Sequence, residues 1–239
     1  MLDRALFLFR RDLRLADNTG LIEAARRARE VIPVFVFDTH VLSRFEGHSM
    51  RLAFLIESLV QLEDAISRAG GSLRVFVGDP AAVIGDLMTR ENIPLVMASR
   101  DYTPFAMRRD ERILSASNQS FVAVPDALLN EPESVLKQDG TPYQVFTPYH
   151  RAAQSLPVAG PQSESEVTFG NVQWGHTLRD ALALVAPGVR AGDSPTRAGR
   201  EGALEALEHA LSLDDYERSR DVPSEAGTSR LSAHLRFGT

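Results

Sequence analysis

Short apolar runs separated by amphipathic stretches organise the first half of the chain. "ALFLF" (5–9), "VIPVFVF" (31–37), "LRVFV" (73–77), "PLVMA" (94–98) and "FVAV" (121–124) are continuous rather than alternating. That is the pattern of parallel strands covered on both faces. Between them, Leu52, Leu55, Leu59, Leu62, Ile66 and Ala69 recur at steps of three and four. This spacing predicts a helix over 49–69, ended by Gly70-Gly71. Asp17-Asn18, Asp79-Pro80 and Thr103-Pro104 predict capped helices over 19–29, 80–91 and 104–117. Strand–helix alternation of this kind predicts an α/β fold, a doubly wound five-stranded parallel sheet.

The texture changes after about residue 130. Residues 131–197 read as a long connection, rich in Pro, Gly and Ser from about 155, with one short helical pattern at Leu178, Leu182 and Val185. Residues 198–239 read as the start of a helical unit, with Leu204, Leu207 and Leu211 on one face. Its last stretch, "LSAHLRFGT", is an apolar helix with no evident packing partner, so this tail is expected to be mobile or to need a partner surface.

Composition narrows the function classes. The 239 residues are 44% hydrophobic and 24% charged, with a net charge of −6 and no cysteine. Disulfides, thiolate metal sites and Cys nucleophiles are excluded. No basic footprint marks the chain as a whole for nucleic acid. No apolar run approaches the ~20 residues that span a bilayer, and the N-terminal apolar stretch is too short for a signal peptide; a cytoplasmic location and no membrane partner are expected. Gly-x-Gly-x-x-Gly after the first strand, a P-loop and a Gly-x-Ser-x-Gly elbow are all missing. His40, His48, His150, His176, His209 and His234 are scattered without metal-ligand spacing and read as surface, cap or core residues, so no metal site is expected.

Three segments carry candidate chemistry. "RRDLR" (10–14) closes the first strand, where ligands of such sheets bind; an acid inside the basic run favours a structural role, with Arg–carboxylate forks pinning one part of the chain to another. "DYTPFAMRRDER" (101–112) enters a helix bearing Arg108, Arg109 and Arg112, read first as a solvated face with ion pairs and second as a wall of the ligand crevice. Near the end, Tyr216 and Arg220 share a helix face before Pro223, and Gly227-Thr228-Ser229-Arg230-Leu231-Ser232 predicts a new helix start. Hydroxyls, free N–H groups and an arginine there suit a pyrophosphate, although Thr-Ser before an apolar run is most often a plain N-cap.

Read in order, "LFLFRRDLRLADNTGL", "IPVFVFD", "MRLAFLIESLVQLEDAISRAGGSLRVFVGDP", "GTPYQVFTPYHRA", "YERSRDVP" and "GTSRLSAHLRFG" resemble the DNA photolyase/cryptochrome family over essentially the whole chain. The resemblance implies that 1–130 is the α/β antenna domain, 131–197 the interdomain linker and 198–239 the incomplete start of the helical FAD-binding domain. It implies a deoxyribodipyrimidine photolyase, a carbon–carbon lyase that uses light and FAD to repair cyclobutane pyrimidine dimers in DNA. The chain would be an N-terminal fragment, inactive alone and without catalytic residues of its own. By motif match, Tyr216, Thr228, Ser229, Arg230, Leu231 and Ser232 would contact FAD, and Arg220 would approach the phosphate of damaged DNA. An antenna chromophore is implied for many members. Folate-using members tend to carry an Asn-Glu pair where Phe105 and Ala106 align, which disfavours folate and leaves a flavin or deazaflavin open. Ala233 stands where the family usually has Pro. The alternatives are a cryptochrome-type light sensor and, outside the family's chemistry, a stand-alone nucleotide- or flavin-binding α/β module.

Overall fold

A computed structural model describes residues 1–44, 50–162, 166–189 and 192–239. His48 and the first residue of the 49–69 helix lie outside these. Strands β1 (Leu2–Phe9), β2 (Ala28–Asp38), β3 (Arg74–Gly78), β4 (Val96–Ser99) and β5 (Phe121–Val124) form one sheet in the order β3-β2-β1-β4-β5. Every pairing is parallel. Alternate residues of the central strand feed opposite cores. Phe7 and Phe9 pack with Phe35, Leu59 and Ile66, while Leu6 and Leu8 pack with Val34, Ile84 and Leu87. All five residues Ala5–Phe9 are at most 2% exposed, which is why the run shows no polar alternation.

Helices α1 (Thr19–Arg27), α2 (Thr39–Leu42), α3 (Met50–Arg68), α4 (Pro80–Glu91) and α5 (Pro104–Ala116) connect the strands. Their caps are the ones the sequence offers. Asn18 accepts from Leu21 N, Asp79 from Ala81 N and Ala82 N, and Thr103 from Ala106 N. Gly70, at φ +81°, ends α3, and Gly71 N donates back to Ile66 O. One boundary moves: the helix expected over 19–29 stops at Arg27, because Leu2 pairs with Ala28 and Arg4 with Glu30, so β2 takes those residues.

The segment after β5 returns to the sheet. It holds α6 (Phe146–Gln154) and α7 (Leu178–Val185). Val31 N donates to Thr168 O and Gly170 N to Val31 O, while Val75 and His176 exchange both backbone bonds. Trp174 packs edge-on against Phe76. Then α8 (Gly199–Leu211) lies on α3, where Gly199 N donates to Ser58 Oγ and Gln61 Nε2 to Ala198 O. Two short helices finish the chain, α9 (Tyr216–Ser219) and α10 (Ser232–Phe237). The tail finds a surface within the chain: Phe237 stacks on Phe54 of α3 at 5.5 Å, and His234 is 2% exposed. No helix among the described residues is long and apolar enough to cross a membrane.

Candidate functional site

In the strand order β3-β2-β1-β4-β5, successive strands are added on one side of β1 and then on the other, so the switch point lies between β1 and β4. A cavity of about 720 Å³ opens there and across the carboxyl end of β2. Its size falls in the range of small-molecule and cofactor sites. Phe9, Arg10 and Arg11 line it from β1, and Phe35, Phe37 and Asp38 from β2. Arg51 and Phe54 of α3 form one wall, with Asp101, Phe105 and Arg109 around α5 opposite in sequence. The last wall is α10, through Ser232, Ala233, Arg236 and Phe237. The closing motif of the chain therefore completes a cavity begun by the opening one.

The "RRDLR" turn makes this possible by local chemistry. Asn18 is fully buried and donates to the carbonyls of Asp12 and Arg14, fixing the turn. Asp12, 1% exposed, turns inward and accepts from Arg10 N at 2.8 Å and Ser99 Oγ at 2.6 Å. Burial pushes its carboxyl above the usual aspartate value despite those bonds. The arginines point elsewhere. Arg10 pairs with Asp110 and donates to Ser99 O. Arg11 pairs with Asp101 at 3.0 Å and donates through Nε to Arg236 O at 3.0 Å. Arg14 pairs with Asp126 at 3.0 Å and donates to Gly238 O at 3.3 Å. Leu13 N adds a bond to Phe237 O at 3.0 Å. The run does clasp the C-terminal segment, but through the backbone carbonyls of Arg236, Phe237 and Gly238; the Arg–carboxylate pairs expected to do the pinning stay within the sheet domain. Gly238 is needed there, since a Cβ at its φ of +61° would stand 2.3 Å from Arg11 O.

The reading of 101–112 as a solvated face needs correction for one residue. Arg108 is exposed and Arg112 pairs with Asp79 at 2.7 Å. Arg109, however, is only 13% exposed, lines the cavity and lies between Asp110 and Asp101. Burial and the nearby Arg10 hold its pKa below the usual arginine range. Phe105 stacks on His40 at 5.5 Å, and the Arg44 guanidinium lies 5.7 Å from its ring. Ala106 is buried and offers no polar group.

The helix start expected at Gly227–Ser232 also needs correction. Arg230 has φ +52°, which ends any helical run, and α10 begins at Ser232 with no side-chain cap. Ser229 Oγ instead accepts from Leu231 N at 3.5 Å. Gly227 seats on Ser219, where a Cβ would come within 2.3 Å of its hydroxyl oxygen, so α9 and the turn before α10 lie side by side. The Arg220 guanidinium sits 6.0 Å from the Tyr216 ring. Thus Tyr216, Arg220 and the 228–231 turn gather on one flank of the tail. Of the candidate residues Tyr216, Arg220, Thr228, Ser229, Arg230, Leu231 and Ser232, Ser232 alone lines the cavity.

Sequence reasoning had assigned no role in a ligand site to Arg51, Phe54 or Arg236. Their signal lay in position: Arg51 and Phe54 open α3 beyond β2, and Arg236 sits one residue before the phenylalanine that docks on Phe54.

Comparison with known proteins matches residues 5–165 to the DNA photolyase family. An uncharacterised 31.6 kDa protein of Synechococcus sp. is 32% identical over 98% of this chain and 84% of its own length. A deoxyribodipyrimidine photo-lyase of another Synechococcus strain is 29% identical over 98% of this chain and 51% of its own. The crystal structure of an archaeal photolyase from Sulfolobus tokodaii with two FAD molecules superposes with a TM-score of 0.84 at 32% identity, covering 98% of this chain and 52% of that one. The chain spans about half the length of the photolyases it matches. It belongs to the DNA photolyase family.

Proposed function

We propose that this chain is the N-terminal portion of a deoxyribodipyrimidine photolyase, a cytoplasmic carbon–carbon lyase that repairs cyclobutane pyrimidine dimers in DNA. The observation that carries the reading is the docking of α10 on the "RRDLR" turn, which joins the two motifs of the family around one aromatic and basic cavity. The cavity suits an antenna chromophore, its rings among Phe35, Phe37, Phe54 and Phe237. A flavin fits the donor set better than folate, since Phe105 and Ala106 present no polar atom to a pterin. The relative from Sulfolobus tokodaii, with two FAD molecules and a light-harvesting cofactor in its description, supports the same assignment.

FAD itself would meet the other flank of the tail. The fit rests on the exposed Thr228 hydroxyl, the Ser229 hydroxyl and the uncapped first turn of α10, all suited to phosphate oxygens. Tyr216 would cover that edge, and Arg220, whose ion pair among the described residues is with its neighbour Asp221 at 3.8 Å, would approach DNA phosphate. When bound, FAD supplies the electron that splits the dimer; the residues here bind and orient it. A site built on one flank should hold FAD weakly, since few contacts offset the ordering cost.

The test is to illuminate the purified 239-residue chain with FAD, a flavin antenna and an oligonucleotide bearing thymine dimers. No dimer splitting is expected, and flavin fluorescence should be quenched by binding in the cavity. Splitting by this chain would refute the inactivity; absence of any flavin or deazaflavin binding would remove the antenna assignment. A second reading, a flavin-binding module without catalysis, is favoured by the 31.6 kDa relative that this chain nearly spans. It predicts binding in the cavity and no repair even when a photolyase C-terminal half is supplied.

A further inference from the structure

The outward side of α8 carries a seam that its own chain leaves open. Gly199, Gly202 and Ala203 turn toward α3. On the other side Arg200, Leu204, Leu207 and Leu211 follow one another at steps of four, three and four. That is the spacing of residues along the contact line of two packed helices. All three leucines are exposed. Arg200 begins the seam and Asp214 stands three residues past its end; both are exposed, and neither has an ion pair among the described residues. Glu201 and Glu205 are already paired with Arg197, which leaves Glu208 as the flanking acid.

An apolar strip that starts with a cation and ends at an anion is complementary to its own reverse. We propose that α8 packs antiparallel on α8 of a second copy of this chain, about a two-fold axis, as a weak and reversible dimer. In that register Leu204 of one copy meets Leu207 of the other, and Arg200 meets Leu211. A helical side chain leans toward its own N-terminus, so Arg200 leans toward the C-terminal end of the second copy's helix. Its stem covers Leu211 there. Its guanidinium reaches the last helix carbonyls and Asp214, both favourable neighbours for a cation. Glu208 comes opposite Ala203 rather than another acid. The two-fold axis repeats every one of these contacts. A parallel pair would set Arg200 against Arg200, so charge selects the antiparallel arrangement. One pair of 13-residue helices buries less than the ~1,200 Å² at which standard interfaces begin, which is why the dimer is weak. The inference uses none of the cofactor chemistry proposed above, and its failure would leave that reading untouched.

The experiment is sedimentation velocity on the full 239-residue chain at low salt, from micromolar to near-millimolar concentration. The expected result is a shift from monomer to dimer as concentration rises, with no larger species. Arg200→Glu and Asp214→Arg should each weaken the dimer about tenfold, because each turns two symmetry-related attractions into repulsions. The double variant, Arg200→Glu with Asp214→Arg, should recover most of the unaltered affinity. Both positions are exposed, so the fold should be kept, as circular dichroism can verify. A chain that stays monomeric throughout overturns the inference. So does an open series of larger species, the mark of head-to-tail contact between two different surfaces. A dimer indifferent to the single reversals, or one they weaken and the double variant does not restore, overturns the antiparallel pairing of α8.

Discussion

Asp12 shows how one buried side chain sets the opening turn. Its carboxylate serves Arg10 N and Ser99 Oγ at once, tying the end of β1 to the end of β4 at the switch point. Asp12→Ala leaves both donors without a partner and should cost about 1–3 kcal/mol. Asp12→Asn keeps an acceptor for Arg10 N and a donor for Ser99 Oγ, so it should cost distinctly less. The charge acts in the opposite sense. Because burial raises the folded-state pKa above the ordinary 3.8, the folded protein binds more protons than the unfolded chain between those two values. Stability therefore falls as pH rises through that window, and it is fully favoured only below it. Urea titrations of the two variants across mildly acidic pH should show this slope in the unaltered chain and its absence in Asp12→Asn.

Among the elements, α10 is the most consequential and the least visible in advance. Its neighbours were legible: β1 to β5 are continuous apolar runs, and α4 begins and ends where Asp79-Pro80 and the pattern to 91 place it. The start of α10 was misplaced because Thr228 and Ser229 have the composition of a cap. Only the backbone at Arg230, in the left-handed region, shows that they form a turn instead. Two predictions belong at this scale. Gly238→Ala puts a methyl against Arg11 O at a φ that L residues disfavour, and should loosen α10 by about 1–3 kcal/mol, read as lost hydrogen-exchange protection over 232–237. His234 is buried edge-on to Phe54, with Nδ1 near Thr239 Oγ1 at 3.0 Å and Nε2 unpartnered. Burial depresses its pKa below 6.5, so the unfolded segment takes up a proton first as pH falls. The stabilisation is full above pH 6.5 and is lost as pH drops through the depressed value. His234→Phe should remove that loss, and exchange of α10 measured on either side of pH 6.5 should separate the two proteins.

For the molecule as a whole, what the sequence concealed was burial decided at long range. Arg109 lies in a helix whose own pattern describes a solvated face, and Arg236 in a stretch notable for its apolar spacing. Both become cavity residues only when β1, α5 and α10 meet. The same long-range logic exposes other residues. Leu204, Leu207 and Leu211 give α8 an apolar face, yet they are 48%, 45% and 81% exposed because α8 turns Gly199, Gly202 and Ala203 toward α3 instead. With Leu235 of α10 also exposed, the flank of the tail presents apolar surface to solvent. Such a face drives association but contributes little to the fold of the chain that bears it. Replacing Leu204 and Leu211 together by Glu should therefore change the unfolding free energy by no more than about 0.5 kcal/mol. It should also lower self-association in sedimentation velocity at high protein concentration. A larger loss of stability would mean that these leucines are packed against the sheet domain in solution. Unchanged sedimentation, with the unaltered chain already monodisperse, would mean that the charged side chains around α8 suffice to keep the face apart from its copies.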